Sequence, residues 1–209
     1  MVKVGRLQLI ITGLIAVGFI TFGKAFVIDI WHKPDFAESY ICEVLLILPS
    51  MFYLPMQIAN TTLIVENKVK LQAIIFIVMG VANVVLSLPL SKYFGAIGAS
   101  ASICIAYFIR NILMVITHIK VLKIDMFSFF KQVYLKLLPH LILASAVGFI
   151  CQKFNPVSNS YISFIANGGI FVVFYFAIMW IHGFNAYEKE LALGTFKKVL
   201  RKLKKSGVK

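Results

Sequence analysis

The sequence predicts an all-α fold: a polytopic membrane helix bundle of about six transmembrane helices, with both termini cytoplasmic. Three observations predict it. The stretch 71–90 runs 20 residues without a charge, which is one bilayer thickness for a helix. The 209-residue chain is 60% hydrophobic and only 14% charged, with a mean hydropathy of +0.91; a soluble domain carries about a quarter charged residues. The 21 Lys and Arg residues, finally, sort sharply by segment. Sixteen belong to one side: Lys3 and Arg6, Lys68 and Lys70, Lys120, Lys123, Lys131 and Lys136, and eight after Tyr187. Lys33, Lys92 and Lys153 are the three on the other side, so the positive-inside rule places both ends in the cytoplasm. The net charge of +13 would suggest nucleic acid in a soluble protein. Placed in short loops beside apolar spans, it suits anionic membrane lipids instead, and no nucleic-acid partner is expected.

The spans are expected at 7–30, 40–65, 71–90, 96–119, 137–151 and 162–181. The first follows a basic start that resembles a signal peptide. Its apolar run continues to Ile30 without a small-residue cleavage site, so it reads as a retained helix. Spans three and four form a hairpin with only 91–95 between them, where Pro89, Lys92, Gly95 and Gly98 give a stop, a polar tip and a restart. The small residues Gly98, Ala99, Ser100, Ala101 and Ser102 let the returning helix approach a neighbour closely. On the third span Gln72, Met79, Gly80, Asn83 and Ser87 share a face, and a close, hydrogen-bonded crossing is expected there; Asn167, Gly168 and Gly169 read the same way in the last span. The fifth span is short, at 15 residues, and is expected to borrow residues 134–136 or to tilt little. Between spans four and five, 122–136 places Ile124, Phe127, Phe130 and Tyr134 at helical spacing, as in a helix lying in the membrane interface. Residues 1–184 thus make a transmembrane bundle and 185–209 a basic amphipathic tail. Each basic residue of that tail is worth on the order of 1 kcal/mol beside an anionic leaflet. The tail reads as a surface anchor or as a docking helix for a cytoplasmic partner.

Chemistry is sparse. His32, His118, His140 and His182 fall at span ends or loops without a carboxylate or Cys partner in sequence, and read as interfacial histidines. Cys42, Cys104 and Cys151 lie far apart in apolar runs and read as packing residues. With no nucleophile–base order, paired carboxylates or phosphate loop, no enzyme, cofactor or metal is expected. Arg110 is the sharpest feature, a charge inside the fourth span about 14 Å from its cytoplasmic end. A central Arg costs roughly 2.5–3.5 kcal/mol on insertion scales, so it faces protein or a polar cavity. Two readings stand: a cation for an anionic substrate such as a diphosphate, on a semi-polar stripe with Tyr107, or an Arg snorkelling to the headgroups. The second span carries Pro49 and Pro55 as hinge candidates and Gln57, Asn60 and Thr61 on one polar face. That face lines a passage or makes interhelical hydrogen bonds worth about 0.6 kcal/mol each.

The run from Met56 to Tyr107 resembles the carboxy-terminal half of bacterial polysaccharide flippases of the multidrug/oligosaccharidyl-lipid/polysaccharide exporter superfamily. The resemblance rests on Asn67-Lys68 in a short link, Asn83-x-x-Leu86, and Tyr93-x-Gly95-x-x-Gly98-Ala99; the outer stretch 23–40 is similar to that family's loop after a span. It implies an all-helical transporter of about fourteen spans that moves undecaprenyl-diphosphate-linked oligosaccharide outward across the bacterial inner membrane by alternating access. This chain matches the last six spans, so a missing amino-terminal lobe or a second copy is the expected partner, and a truncated frame, a split gene's second half or a fragment of a longer protein is expected. The residues that would line the cavity are Arg110, Tyr107, Gln57, Asn60 and Thr61. A drug/cation antiporter would need an intramembrane carboxylate, yet Glu43 sits near a span end. A non-transporting scaffold subunit of a glycan synthesis complex is the alternative from another class. A membrane glycosyl- or acyltransferase lacks its acid–base set.

Overall fold

The computed structural model describes residues 1–30, 37–154, 161–191 and 193–194. All regular structure among them is helical, in the order α1 (Val2–Ala25), α2 (Ala37–Tyr53), α3 (Gln57–Val65), α4 (Val69–Lys120), α5 (Met126–Phe130), α6 (Lys136–Phe154) and α7 (Tyr161–Ile178). Short wide or tight turns join several of these: Phe26–Ile30 after α1, Leu54–Met56 between α2 and α3, Lys131–Leu135 between α5 and α6, and Met179–Gly183 after α7. Among the described residues, five continuous helical stretches are long and apolar enough to cross a membrane. The chain is an all-α bundle of multi-pass membrane type.

The longest stretch, α4, contains 52 residues and would extend about 78 Å if straight. Instead it folds back at Gly95, whose φ of 57° and ψ of −133° lie outside the helical region and suit a residue without Cβ. The two legs then meet side by side. Ser102 Oγ donates to Asn83 Oδ1 at 3.2 Å, and Lys68 Nζ reaches the Val121 carbonyl at 3.3 Å, joining the two ends. A Cβ on Gly98 would lie 1.9 Å from the Leu90 carbonyl oxygen, so the legs touch backbone to backbone where the small-residue run predicts it. The two legs of this hairpin correspond to the expected spans three and four. Its link is tighter than 91–95: helix persists on both sides and the reversal is confined to Gly95.

Helix α1 is the axis of the packed core. Leu9, Ile10 and Val17 pack into one cluster with Phe129, Val133, Leu137, Leu141, Phe171 and Tyr175 from α5–α7. Tyr175 donates its hydroxyl to the Ile10 carbonyl at 2.7 Å. Gly5 and Gly13 leave no room for a side chain: a Cβ would meet Phe129 at 2.8 Å and Leu141 at 2.6 Å, respectively.

Proline chemistry shapes the second span. Pro55 has no N–H, which frees the carbonyl four residues earlier. That carbonyl, on Met51, and its neighbour on Phe52 both accept from the Tyr134 hydroxyl at 3.1 Å. The helix tightens over Leu54–Met56 and resumes as α3. Pro49 sits within α2, and its carbonyl accepts from Asn111 Nδ2 at 3.3 Å. The two hinge candidates are therefore each adjoined by a side chain from another span.

Three expectations need correction. The interfacial helix over 122–136 and the short fifth span are one helical stretch, Met126–Lys153. The wide turn Lys131–Leu135 rotates the face, so Met126, Phe129, Val133 and Tyr134 are buried while Phe127 is 82% exposed. Gly80, Gly168 and Gly169 have nothing within 4 Å of a would-be Cβ, so no close crossing forms at those glycines. The basic tail, set from residue 185, begins inside the bundle: Glu188 is 3% exposed and paired with Arg6. The amphipathic stretch after Gly194, and His32 and Lys33 of the outer loop, lie outside the described residues.

Candidate functional site

Arg110 projects from the returning leg of α4 and is 1% exposed. Its guanidinium carbon lies 3.9 Å from the Tyr53 ring centre, 4.7 Å from that of Phe76 and 5.8 Å from that of Tyr107. Spans two, three and four thus each contribute an aromatic ring to one cation. Ring faces attract a guanidinium by about 0.5–2 kcal/mol each, but they offer no acceptor for its N–H groups. Arg110 Nε and Nη2 are buried without a hydrogen-bond partner, and among the described residues no carboxylate pairs with the group. The side chain does not snorkel to the headgroups; it is held among the three rings.

Two of those rings, Tyr53 and Tyr107, also wall a cleft of about 310 Å³, completed by Pro49, Ser50 and Ile103 among others. Arg110 adjoins both rings and does not itself line the cleft. Toward the Lys68–Val121 end, Leu63, Ile75 and Met114 close the seam of the same three spans in an apolar cluster. The arrangement is a desolvated cation with open N–H donors, flat phenolic faces beside it, and an apolar stop on one side.

The structure brings together Arg110, Tyr107 and the hinge residue Pro49. Among the described residues no hydrogen bond joins Gln57, Asn60 or Thr61 to them. Asn60 Nδ2 is 3.4 Å from Gln57 Oε1, and Thr61 Oγ1 donates to the Gln57 carbonyl at 3.0 Å, so this face largely answers itself. Asn60 Oδ1 remains buried and unpartnered. Tyr53 and Phe76 were not singled out by sequence reasoning. Tyr53 carries a faint signal, lying four and seven residues before Gln57 and Asn60 on the same helical face; Phe76 is one apolar residue among many.

The histidines divide. His118, in the last turn of α4, is fully buried with both ring nitrogens unpartnered. His140 and His182 stack at 6.2 Å between ring centres, and among the described residues no His/Cys/Asp/Glu group of metal-binding geometry occurs. The three cysteines are unpaired. No family model, curated protein or solved structure matches this chain.

Proposed function

We propose that this chain is the carboxy-terminal part of a flippase that carries undecaprenyl-diphosphate-linked oligosaccharide across the bacterial cytoplasmic membrane for surface polysaccharide synthesis. The observation that carries this reading is Arg110: a fully buried guanidinium with unanswered donors, beside a Tyr-walled cleft, in a multi-pass bundle. A planar guanidinium presents its N–H groups in a fork that matches phosphate oxygens bidentately. The Tyr53 and Tyr107 rings supply flat surfaces for sugar rings, and Pro49 and Pro55 give the second span its bends. An arriving diphosphate replaces the missing counter-charge, which favours the loaded state over the empty one. The distribution of Lys and Arg supports cytoplasmic termini. The Arg6–Glu188 pair, which joins the start of the first span to the segment after the last, supports ends on a common side.

The test is complementation in a flippase-deleted bacterium, scoring surface polysaccharide with the chain alone and with the preceding half of its locus. Export that requires Arg110, and is lost in Arg110→Ala at unchanged membrane levels, is the expected result. Absence of export in every combination, with the protein correctly inserted, overturns the reading in favour of a scaffold subunit of glycan synthesis.

A further inference from the structure

A second feature lies where residues of spans two and four meet Phe130 of α5. A hollow of about 320 Å³ is lined by Phe52, Phe108, Ile112, Val115, Ile116 and Phe130, among others. A second, of about 380 Å³, adjoins it and is lined by Phe127, Phe130, Lys131, Tyr134, Leu135 and Leu138. Phe130 is common to both and separates them like a ridge. The walls are apolar apart from Asn111 in the first hollow and Lys131 in the second. Lys131 lines the second hollow, and Lys120 stands one helical turn beyond Ile116 on the returning leg; both are exposed. Between residues 120 and 136 the one carboxylate is Asp125, which is engaged by the Ser128 backbone N–H at 3.0 Å.

We infer that the paired hollows seat the two acyl chains of one anionic glycerophospholipid astride Phe130, with its headgroup phosphate at Lys131 and Lys120. Two adjoining apolar hollows with a lysine in the wall of one fit a two-chain anion better than a single-chain or zwitterionic lipid. Basic residues at a membrane surface select negative headgroups. The site is independent of whatever the chain transports. Its position has a mechanical consequence, because Tyr134 borders the second hollow and also holds the Met51 and Phe52 carbonyls at the Pro55 bend. A seated lipid therefore steadies the hinge of the second span.

The experiment is native mass spectrometry of the full chain released from nanodiscs of equal phosphatidylglycerol and phosphatidylcholine. One retained phosphatidylglycerol per chain is expected, in preference to phosphatidylcholine. The double variant Lys120→Gln/Lys131→Gln should weaken that preference by about fivefold per lysine. Lys92→Gln, at the hairpin tip, should leave it unchanged. Ile112→Trp should reduce retention by filling the first hollow. Equal retention of both lipids, an equal loss in Lys92→Gln, or undiminished retention in Ile112→Trp would each overturn the inference. So would a lipid-free dimer, which would assign the hollows to a second copy of the chain.

Discussion

The molecule buries two guanidiniums to the same degree and treats them in opposite ways. Arg6 is 2% exposed and Arg110 is 1% exposed. Arg6 Nε meets Glu188 Oε1 at 2.6 Å and Nη2 meets Oε2 at 3.1 Å, while its remaining donors reach the carbonyls of Gln132 at 2.9 Å and Gly183 at 2.6 Å. Glu188 in turn accepts from the Asn185 N–H at 2.8 Å. Arg110 has three aromatic faces and no answering carboxylate among the described residues. Burial alone therefore does not distinguish structure from function. Unanswered hydrogen-bonding capacity separates these two residues, because a fold that keeps it must hold it at a cost that packing does not return.

The largest effect should come from breaking the answered cation. Arg6→Ala leaves Glu188 buried without its counter-charge, a loss of about 3–5 kcal/mol. Thermal unfolding of the detergent-solubilised protein should show a large fall in midpoint. The double variant Arg6→Leu/Glu188→Leu should recover much of it, since no isolated charge remains. A double variant as unstable as the single would mean that the two carbonyl contacts, rather than the ion pair, hold the ends together.

Arg110 should reverse that pattern. Arg110→Met removes a desolvated charge together with its ring contacts, two terms of similar size and opposite sign, so the unfolding midpoint should move little or rise. Export should fall by about tenfold to a hundredfold, the value of a charged hydrogen-bonding contact at about 1.5–3 kcal/mol. A midpoint that falls as far as that of Arg6→Ala would make Arg110 a structural residue and erase the contrast.

The contrast between these two residues also marks what could be read from the sequence. Spans were legible because a run such as 71–90 admits one interpretation in a bilayer. Arg110 was legible because it is a lone charge in such a run. Arg6 was counted as an ordinary loop cation, since its partner lies 182 residues away and both sit near chain ends where charges are common. The rings around Arg110 were hidden for a similar reason: Tyr53 and Phe76 belong to other spans, and apolar periodicity does not say which span faces which. On the polar face of Gln57, Asn60 and Thr61 the hydrogen bonds are local, and residue spacing alone does not say how far such a face satisfies itself. The single helical stretch Met126–Lys153 was missed because its wide turn changes the periodicity at Lys131–Leu135, which imitates a boundary.

Two glycines of the hairpin sharpen the same point on a smaller scale. Gly98 faces the Leu90 carbonyl with no space for a Cβ, and backbone cannot yield as a flexible side chain can. Gly98→Ala should cost about 1–3 kcal/mol by forcing the legs apart. Gly80→Ala, with nothing within 4 Å, should be neutral or stabilising by about 0.5–1 kcal/mol. Disulfide formation in Asn83→Cys/Ser102→Cys reports the leg spacing directly: it should slow with Gly98→Ala and not with Gly80→Ala. Equal rates in the two backgrounds would show that the legs do not depend on that contact.

The smallest expected effect concerns an exposed carboxylate outside the spans. Asp125 caps α5, and the Ser128 backbone N–H, helped by the Ser128 hydroxyl, holds its carboxyl below the usual range near 3.8. A carboxyl whose pKa is lowered on folding contributes stability that is present above its unfolded value and lost as pH falls through the folded one. The cap is therefore intact at neutral pH and weakens below about pH 4. Asp125→Asn keeps an acceptor oxygen for the Ser128 N–H but removes the titration. Hydrogen exchange at the Ser128 and Phe129 amides should accelerate relative to intrinsic rates once the pH falls below the usual carboxylate range in the parent and stay flat in the variant. Parallel acceleration in both proteins would trace the acid effect to another group. Because α5 carries Phe129 into the core beside Gly5, a cap that failed there would loosen the seat of α1 as well.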